Sequence, residues 1–200
     1  MPRQWTASPI AVPRASAADY LKLEKRLLLL AWLNSLVGYK TNAELLSDIK
    51  QAGEGFDADG RSYVYHHLVG RGAKLKVGLA DLQQYDDNIR NHLAAINQRR
   101  PEPITLRYFQ HLALLYTEVF LDLRFNRPAT LLQMLNEFVR SLNARKPAGD
   151  PLEPEFAEAD LNKLAYWMAT GSGKTLILHV NLRQFLHYHK KPLDNILLIT

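Results

Sequence analysis

The stretch YWMATGSGKTLILHV, residues 166–180, constrains the fold of this chain more than any other. Gly171 and Gly173 let the backbone curl more tightly than residues with a β-carbon allow. The apolar run KLAYWM (163–168) precedes the curl, and TLILHVNLRQFLHYH (175–189) follows it with helical spacing. The sequence therefore predicts a buried strand, a glycine loop and a helix, in that order.

A loop of this kind directs backbone amides and the positive end of the next helix at one point, where an anion is stabilised. Lys174 is placed to reach the β- and γ-phosphates of a nucleotide, and the hydroxyl of Thr175 can ligate Mg²⁺. Met168 stands where the strict GxxxxGK[ST] pattern has a glycine, so only its GxGK[ST] core is met. The predicted phosphate cradle consists of Thr170, Gly171, Ser172, Gly173, Lys174 and Thr175.

A second apolar run, ILLIT (196–200), follows the turn residues KPLDN (191–195). Strand, helix and strand in this order form a βαβ unit, which belongs to a parallel sheet. The expected fold class is therefore a mostly α N-terminal region followed by the start of an α/β P-loop domain with a parallel sheet.

The rest of the chain has mainly helical patterns. A capping box at Thr41 and Glu44, a glycine stop at Gly38 and the prolines of RRPEP (99–103) mark helix ends. The predicted organisation is a loose tail over 1–15, a helical accessory domain over 16–100, a helical lead-in with an acidic loop over 101–160, and the first, incomplete βαβ unit over 161–200.

MATGSGKT together with NILLIT resembles motif I and the strand leading into motif Ia of superfamily-2 helicases and translocases. It is most similar to the DEAD/DEAH-type branch of the type III restriction enzyme Res subunit, which also contains phage-defence helicases. The resemblance is specific over residues 163–200. It implies a RecA-like domain that binds ATP and Mg²⁺, with Lys174 as its catalytic residue, and moves along nucleic acid.

In that family an upstream LRxxQ element positions a glutamine against adenine. Here LRYFQ supplies Arg107 and Gln110, with Tyr108 where the family often has proline and with a longer separation from the loop. The resemblance implies that Gln110 reads adenine; the alternative is a helix glutamine that faces solvent.

Hydrolysis by such a machine needs a Walker B acidic pair and an arginine finger. The only carboxylate after the loop is Asp194, which lies in a predicted turn. We therefore expect the 200 residues to be the N-terminal part of a longer polypeptide and to be inactive as an ATPase alone.

The composition of the chain indicates which kinds of partner it can bind. The formal charge of +5 favours an anionic partner, nucleic acid first. The resemblance implies DNA ahead of RNA, with the remainder of the same polypeptide or a methyltransferase or nuclease subunit as further partners. The chain has no cysteine, its N-terminus lacks a secretory signal, and LLLLAWL (27–33) is too short to cross a bilayer. These features predict a cytoplasmic protein that does not bind membranes.

Other motifs are weaker. The spacing of the histidine pairs at 66–67 and 187–189 does not suit a zinc site, and EGFDADGRS (54–62) is a turn rather than a calcium loop. GRGAKLK (70–76) is a connector whose cations offer a less favoured phosphate contact. Two competing functions stay open: a P-loop NTPase of another class, and a non-catalytic helical interaction module.

Overall fold

The computed structural model describes residues 26–193. The regular structure of these residues is helical, with seven α-helices and two short 3₁₀ helices, Gly72–Lys74 and Glu158–Asn162. The α-helices are α1 (Leu28–Leu36), α2 (Asn42–Ile49), α3 (Tyr63–Val69), α4 (Leu79–Asn97), α5 (Tyr108–Asn126), α6 (Pro128–Asn143) and α7 (Lys174–Tyr188).

Local signals set the end of α1 and the start of α2. The hydroxyl of Thr41 accepts a hydrogen bond from the amide of Glu44, and the carboxylate of Glu44 accepts one from the amide of Lys40. Gly38, just beyond α1, has a φ of 87°, the left-handed conformation that ends many helices. The predicted capping box and glycine stop are both confirmed.

Helix α5 lies at the centre of the fold. It packs against α3, α4, α6 and α7, and side chains on every side of it are buried. A helix that is covered all round is expected to be apolar all round, and the run from Leu112 to Leu123 is close to that pattern. One cluster of buried side chains extends from Trp32 in α1 to Tyr188 in α7. The division into an accessory domain and an ATP-binding domain stays a prediction.

Helix α6 covers one side of α5 with a stripe of Leu131, Leu135 and Val139, spaced four residues apart and fully buried. Phe138 and Leu142, next to this stripe in the helix, are half-buried. Pro128 occupies the first turn of α6, where a missing amide hydrogen costs no helix bond.

The predicted start of a parallel-sheet P-loop domain is wrong. Residues 26–193 contain no strand, and their one β-type pairing is an isolated bridge between Phe56 and Ser62. Residues 163–168 have no regular secondary structure, because no strand within the described range offers them a ladder of hydrogen bonds. The second predicted strand, 196–200, lies outside the described residues.

None of the helices in the described part of the chain is both long enough and apolar enough to cross a membrane.

Candidate phosphate-binding site

The loop ahead of α7 has the backbone conformation that its glycines predict. Gly171 has a φ of 79° and Gly173, the N-cap of α7, has a φ of 87°. Both values lie in the left-handed region, where a β-carbon causes strain. These two turns direct the chain from residues 163–168 into α7 within a few residues.

Helix α7 begins at Lys174, and the first backbone bond at its N-terminus joins the amide of Ile177 to the carbonyl of Gly173. The amides of residues 174–176 precede that bond and have no backbone acceptor within residues 26–193. Free amides at a helix start carry the positive end of the helix dipole. They are therefore donors for an anion.

A cleft of about 440 Å³ opens beside this helix start and is lined by Met168, Lys174 and Thr175, among others. The ammonium of Lys174 donates to the carbonyl oxygens of Met168 and Ala169, at 3.2 Å each. A phosphate would offer this ammonium charged acceptors, which form stronger bonds than neutral carbonyls. The side chain of Thr175 is exposed in the first turn, so its hydroxyl suits a Mg²⁺ ion bound together with phosphate.

Gln110 in α5 contacts the loop, although 62 residues separate it from Ser172. Its Nε2 donates to the carbonyl of Ser172 at 3.0 Å, and its Oε1 accepts from the amide of Arg107 at 3.0 Å. A β-carbon at Gly173 would lie 2.5 Å from this Nε2, so the glycine also makes room for the amide.

The structure thus brings Gln110 to the predicted cradle, with its side chain buried rather than facing solvent. The side chain of Arg107 is exposed at the N-cap of α5, one turn from Gln110. A glutamine amide has two N–H groups and two lone pairs, so one of each remains available here. The role of Gln110 in reading adenine stays a prediction.

The segment before the loop is attached to α5 by side chains. The hydroxyl of Tyr166 lies 2.5 Å from the hydroxyl of Thr117, which also lies 3.3 Å from the Oδ1 atom of Asn181 in α7. Burial of this hydroxyl end raises the pKa of Tyr166 to about 12, so the side chain is neutral. These contacts fix one point of residues 163–168 against two helices.

A cluster of buried polar side chains, which the sequence analysis missed, holds α7 on α4 and α5. The carboxylate of Glu118 accepts from Tyr188 at 2.6 Å, from Gln184 at 2.7 Å and from Asn88 at 2.9 Å. We call these four residues the Glu118 cluster. Burial raises the pKa of Glu118 even though these three donors lower it. The one available signal was a lone acid inside the apolar run LALLYTEVFL.

His92 of α4 borders the Glu118 cluster. Its Nε2 is 3.9 Å from the carboxylate of Glu118, beyond hydrogen-bond distance. Burial, together with the nearby His187 and Arg183, lowers the pKa of His92 to about 4. This imidazole is therefore neutral at pH 7.

The three cations of the connector GRGAKLK (70–76) differ in their burial. Arg71 is largely buried; it donates to Asp48 at 2.7 Å and to the carbonyl of Gly38 at 2.8 Å, and it lies over the ring of Tyr39. It holds the connector to α1 and α2, a role that neither interpretation of GRGAKLK had foreseen. Lys74 and Lys76 are exposed.

The turn EGFDADGRS (54–62) contacts the histidine pair at 66–67. One oxygen of Asp57 accepts from the amides of Asp59 and Arg61, and the other lies 2.6 Å from Nε2 of His66. His67 lies 3.0 Å from Asp48. Within the described range, no three metal-ligating side chains gather at one point.

Ser62, Asp86 and His111 form a separate buried group. The hydroxyl of Ser62 donates to Asp86 at 2.5 Å and caps α3, while Nε2 of His111 lies 3.0 Å from the same carboxylate oxygen. Serine bonds the acid rather than the imidazole, and all three side chains are closed to solvent. This arrangement stabilises the fold and lacks the geometry of a catalytic triad.

Comparison of the chain with protein-family models, with curated proteins and with solved structures finds no match.

Proposed function

We propose that this chain binds ATP with Mg²⁺ through the loop 168–175 and serves an ATP-dependent DNA helicase or translocase of the restriction or phage-defence type. The observation that supports this most is the loop itself, in which two left-handed glycines lead into a helix start with free amides. The proposal does not require the sheet that the sequence had predicted.

The residues take the following roles in this proposal. The amides of Gly171, Gly173 and Lys174 hold the phosphates, and Lys174 leaves its two carbonyl partners to contact the β- and γ-phosphates. Mg²⁺, ligated by Thr175, neutralises phosphate charge. Gln110 keeps the loop closed against α5 and has a free N–H and lone pair for adenine.

The nucleic-acid part of the proposal depends on charge and on the sequence resemblance. The formal charge of +5 favours a polyanion, and the LRYFQ and MATGSGKT elements resemble those of nucleic-acid motors. Hydrolysis would further need Walker B acids and an arginine finger. A nuclease or methyltransferase subunit is a further partner in this proposal.

The test is ATP turnover with and without DNA in the protein carrying all of these parts. We expect Lys174→Ala to abolish DNA-stimulated turnover, because one phosphate-contacting cation is lost at the reacting group. Lys190→Ala, at the other end of α7, is the matched control and should leave turnover unchanged. Undiminished turnover in Lys174→Ala would refute the assignment.

Two other functions compete. The wholly helical structure of the described residues favours a non-catalytic interaction module, which would bind no nucleotide in the presence of Mg²⁺. A P-loop NTPase of another class would turn over ATP with no response to DNA.

A further inference from the structure

A second groove lies between α1 and residues 163–168 and shares Tyr166 and Met168 with the phosphate cleft. Its volume is about 720 Å³, within the roughly 300–1,000 Å³ of ligand-binding pockets. Most of its lining is apolar, with Leu28 and Leu33 of α1 and Phe156 among the side chains.

Two aromatic side chains border this groove from residues 163–168. The side chain of Trp167 is 80% exposed, and that of Tyr166 is 40% exposed although its hydroxyl faces α5. Tryptophan is rarely so exposed in folded proteins, and large exposed apolar groups at a groove mark interaction sites. The free faces of these rings are stacking surfaces for a flat ligand.

The charged residues that line the groove are Arg26 and Lys163, both cations. Lys163 is exposed and forms no ion pair within residues 26–193. The groove therefore combines exposed rings with positive charge, and its complement is a ligand with flat faces and repeated negative charge.

Single-stranded nucleic acid has this chemistry, since its bases stack on aromatic side chains and its phosphates pair with cations. Among the uncharged polar side chains of the groove, Thr117 and Tyr166 are bonded to each other and Tyr116 is bonded to Asn34, which leaves Asn42 and the indole N–H of Trp167 to recognise a ribose 2′-hydroxyl. We propose that this groove binds single-stranded DNA, with a base stacked on Trp167 and a phosphate at Lys163.

The groove is connected to the phosphate cleft. Tyr166 and Met168 line both, and the carbonyl of Met168 accepts a hydrogen bond from Lys174. A strand held on Trp167 contacts the segment whose carbonyls hold Lys174 before nucleotide binds. The link between the groove and ATP binding rests on the proposed function. The binding of DNA in the groove does not, and it can be tested without nucleotide.

The experiment measures binding of a fluorescein-labelled oligo-dT by anisotropy, at low salt and without nucleotide, so that it does not depend on the ATP site. Removing the stacking ring with Trp167→Ala should weaken binding about tenfold. Trp167→Phe should restore binding to within about threefold of the original chain. Leu152→Ala removes another highly exposed apolar side chain, 69% exposed and outside the groove, and should have no effect.

The charge contact has its own measurement. Lys163→Gln should reduce the slope of log affinity against log salt by about 0.7, the value for one phosphate contact on a single strand. Lys50→Gln, an exposed lysine that does not line the groove, should leave the slope unchanged.

Equal binding by Trp167→Ala and the original chain would overturn the proposal, as would tighter binding of the matching ribo-oligomer. Self-association of the chain that Trp167→Ala abolishes, without DNA binding, would assign the groove to protein and also overturn it. If the original chain binds DNA through Trp167 but binds no ATP, the ATP site is refuted and the DNA groove is supported. If the original chain binds ATP but binds no DNA through Trp167, only the DNA groove is refuted.

Discussion

The Glu118 cluster and the loop segment, residues 163–175, differ in how the protein holds them. In the cluster, Glu118 has three buried donors and lies between three helices. The loop segment is held by few side-chain hydrogen bonds, those of Tyr166, Gln110, Lys174 and Ser172, and leaves Trp167 in solvent. The comparison indicates that α7 is fixed at its C-terminal half, while its N-terminal loop remains accessible to a ligand.

The largest expected effect comes from removing the centre of the Glu118 cluster. Glu118→Ala leaves Asn88, Gln184 and Tyr188 as buried polar groups without their acceptor, which should lower the free energy of unfolding by about 3–5 kcal/mol. Urea denaturation measures this loss. Glu137→Ala, on the exposed face of α6, should change stability by less than about 0.5 kcal/mol. A similar, small change in both variants would show that the Glu118 cluster does not fix α7 more firmly than an exposed contact does.

The second effect is a dependence of stability on pH at His92. Its pKa in the folded protein, about 4, lies below the ordinary value near 6.5, so the unfolded chain takes up a proton first as the pH falls. The contribution of His92 to the free energy of unfolding is therefore fully present above pH 6.5. It decreases by about 3 kcal/mol as the pH falls to 4.

His92→Gln should remove this part of the pH dependence. Glu118 ionises in both proteins, so its opposite effect largely cancels in the difference between their unfolding free energies. A difference that stays constant from pH 4 to pH 6.5 would show that burial does not perturb His92.

The third effect sharpens the comparison at the loop. Gly173→Ala combines left-handed strain with a β-carbon 2.5 Å from Gln110 and should cost about 2 kcal/mol. Gly149→Ala has a similar φ of 93° but open space around it, so it should cost about 1 kcal/mol. Thermal unfolding of both variants separates the cost of left-handed backbone strain, which they share, from the cost of the contact with Gln110, which only Gly173→Ala makes. Equal losses would mean that the Gln110 amide moves aside without penalty.

The smallest effect concerns the hydrogen bond from Gln110 to Ser172. Gln110→Ala removes this bond, which should cost about 1 kcal/mol and loosen the loop, and it also removes the bond from the amide of Arg107 at the start of α5. Hydrogen exchange should show faster opening at the amides of Ser172 and Ile177, which are bonded to the carbonyls of Ala169 and Gly173, and no change in α4. Unchanged exchange in the loop would exclude Gln110 as the residue that closes it.

The same variant tests adenine recognition. If Gln110 reads adenine, Gln110→Ala should reduce the preference for ATP over GTP; an unchanged preference would limit the residue to closing the loop.

The helices could be predicted from the sequence because their signals are local. The caps at Thr41 and Ser62, the stop at Gly38 and the left-handed turns at Gly171 and Gly173 depend on neighbouring residues only. Thr41, Gly38 and the glycine loop were identified in this way. The predicted strand at 163–168 failed for the opposite reason, since an apolar run becomes a strand only where another strand pairs with it.

The candidate site was predictable in part. The loop residues follow from their own chemistry, and the resemblance singled out Gln110, which the structure places against Ser172. The Glu118 cluster brings together residues up to 100 positions apart, and no spacing pattern reports such a contact. Trp167 appeared as part of a buried strand, so its exposure could not be foreseen.

Calorimetric titration of ATP and Mg²⁺ into the chain and into Lys174→Ala is the decisive test of whether residues 168–175 bind nucleotide phosphates. We expect Mg²⁺-dependent binding to the original chain and to the Lys190→Ala control. Lys174→Ala should lose at least about tenfold in affinity, since a charged hydrogen bond to phosphate is worth about 1.5–3 kcal/mol. Absence of binding to the original chain, or equal binding by Lys174→Ala, would refute a phosphate site at this loop.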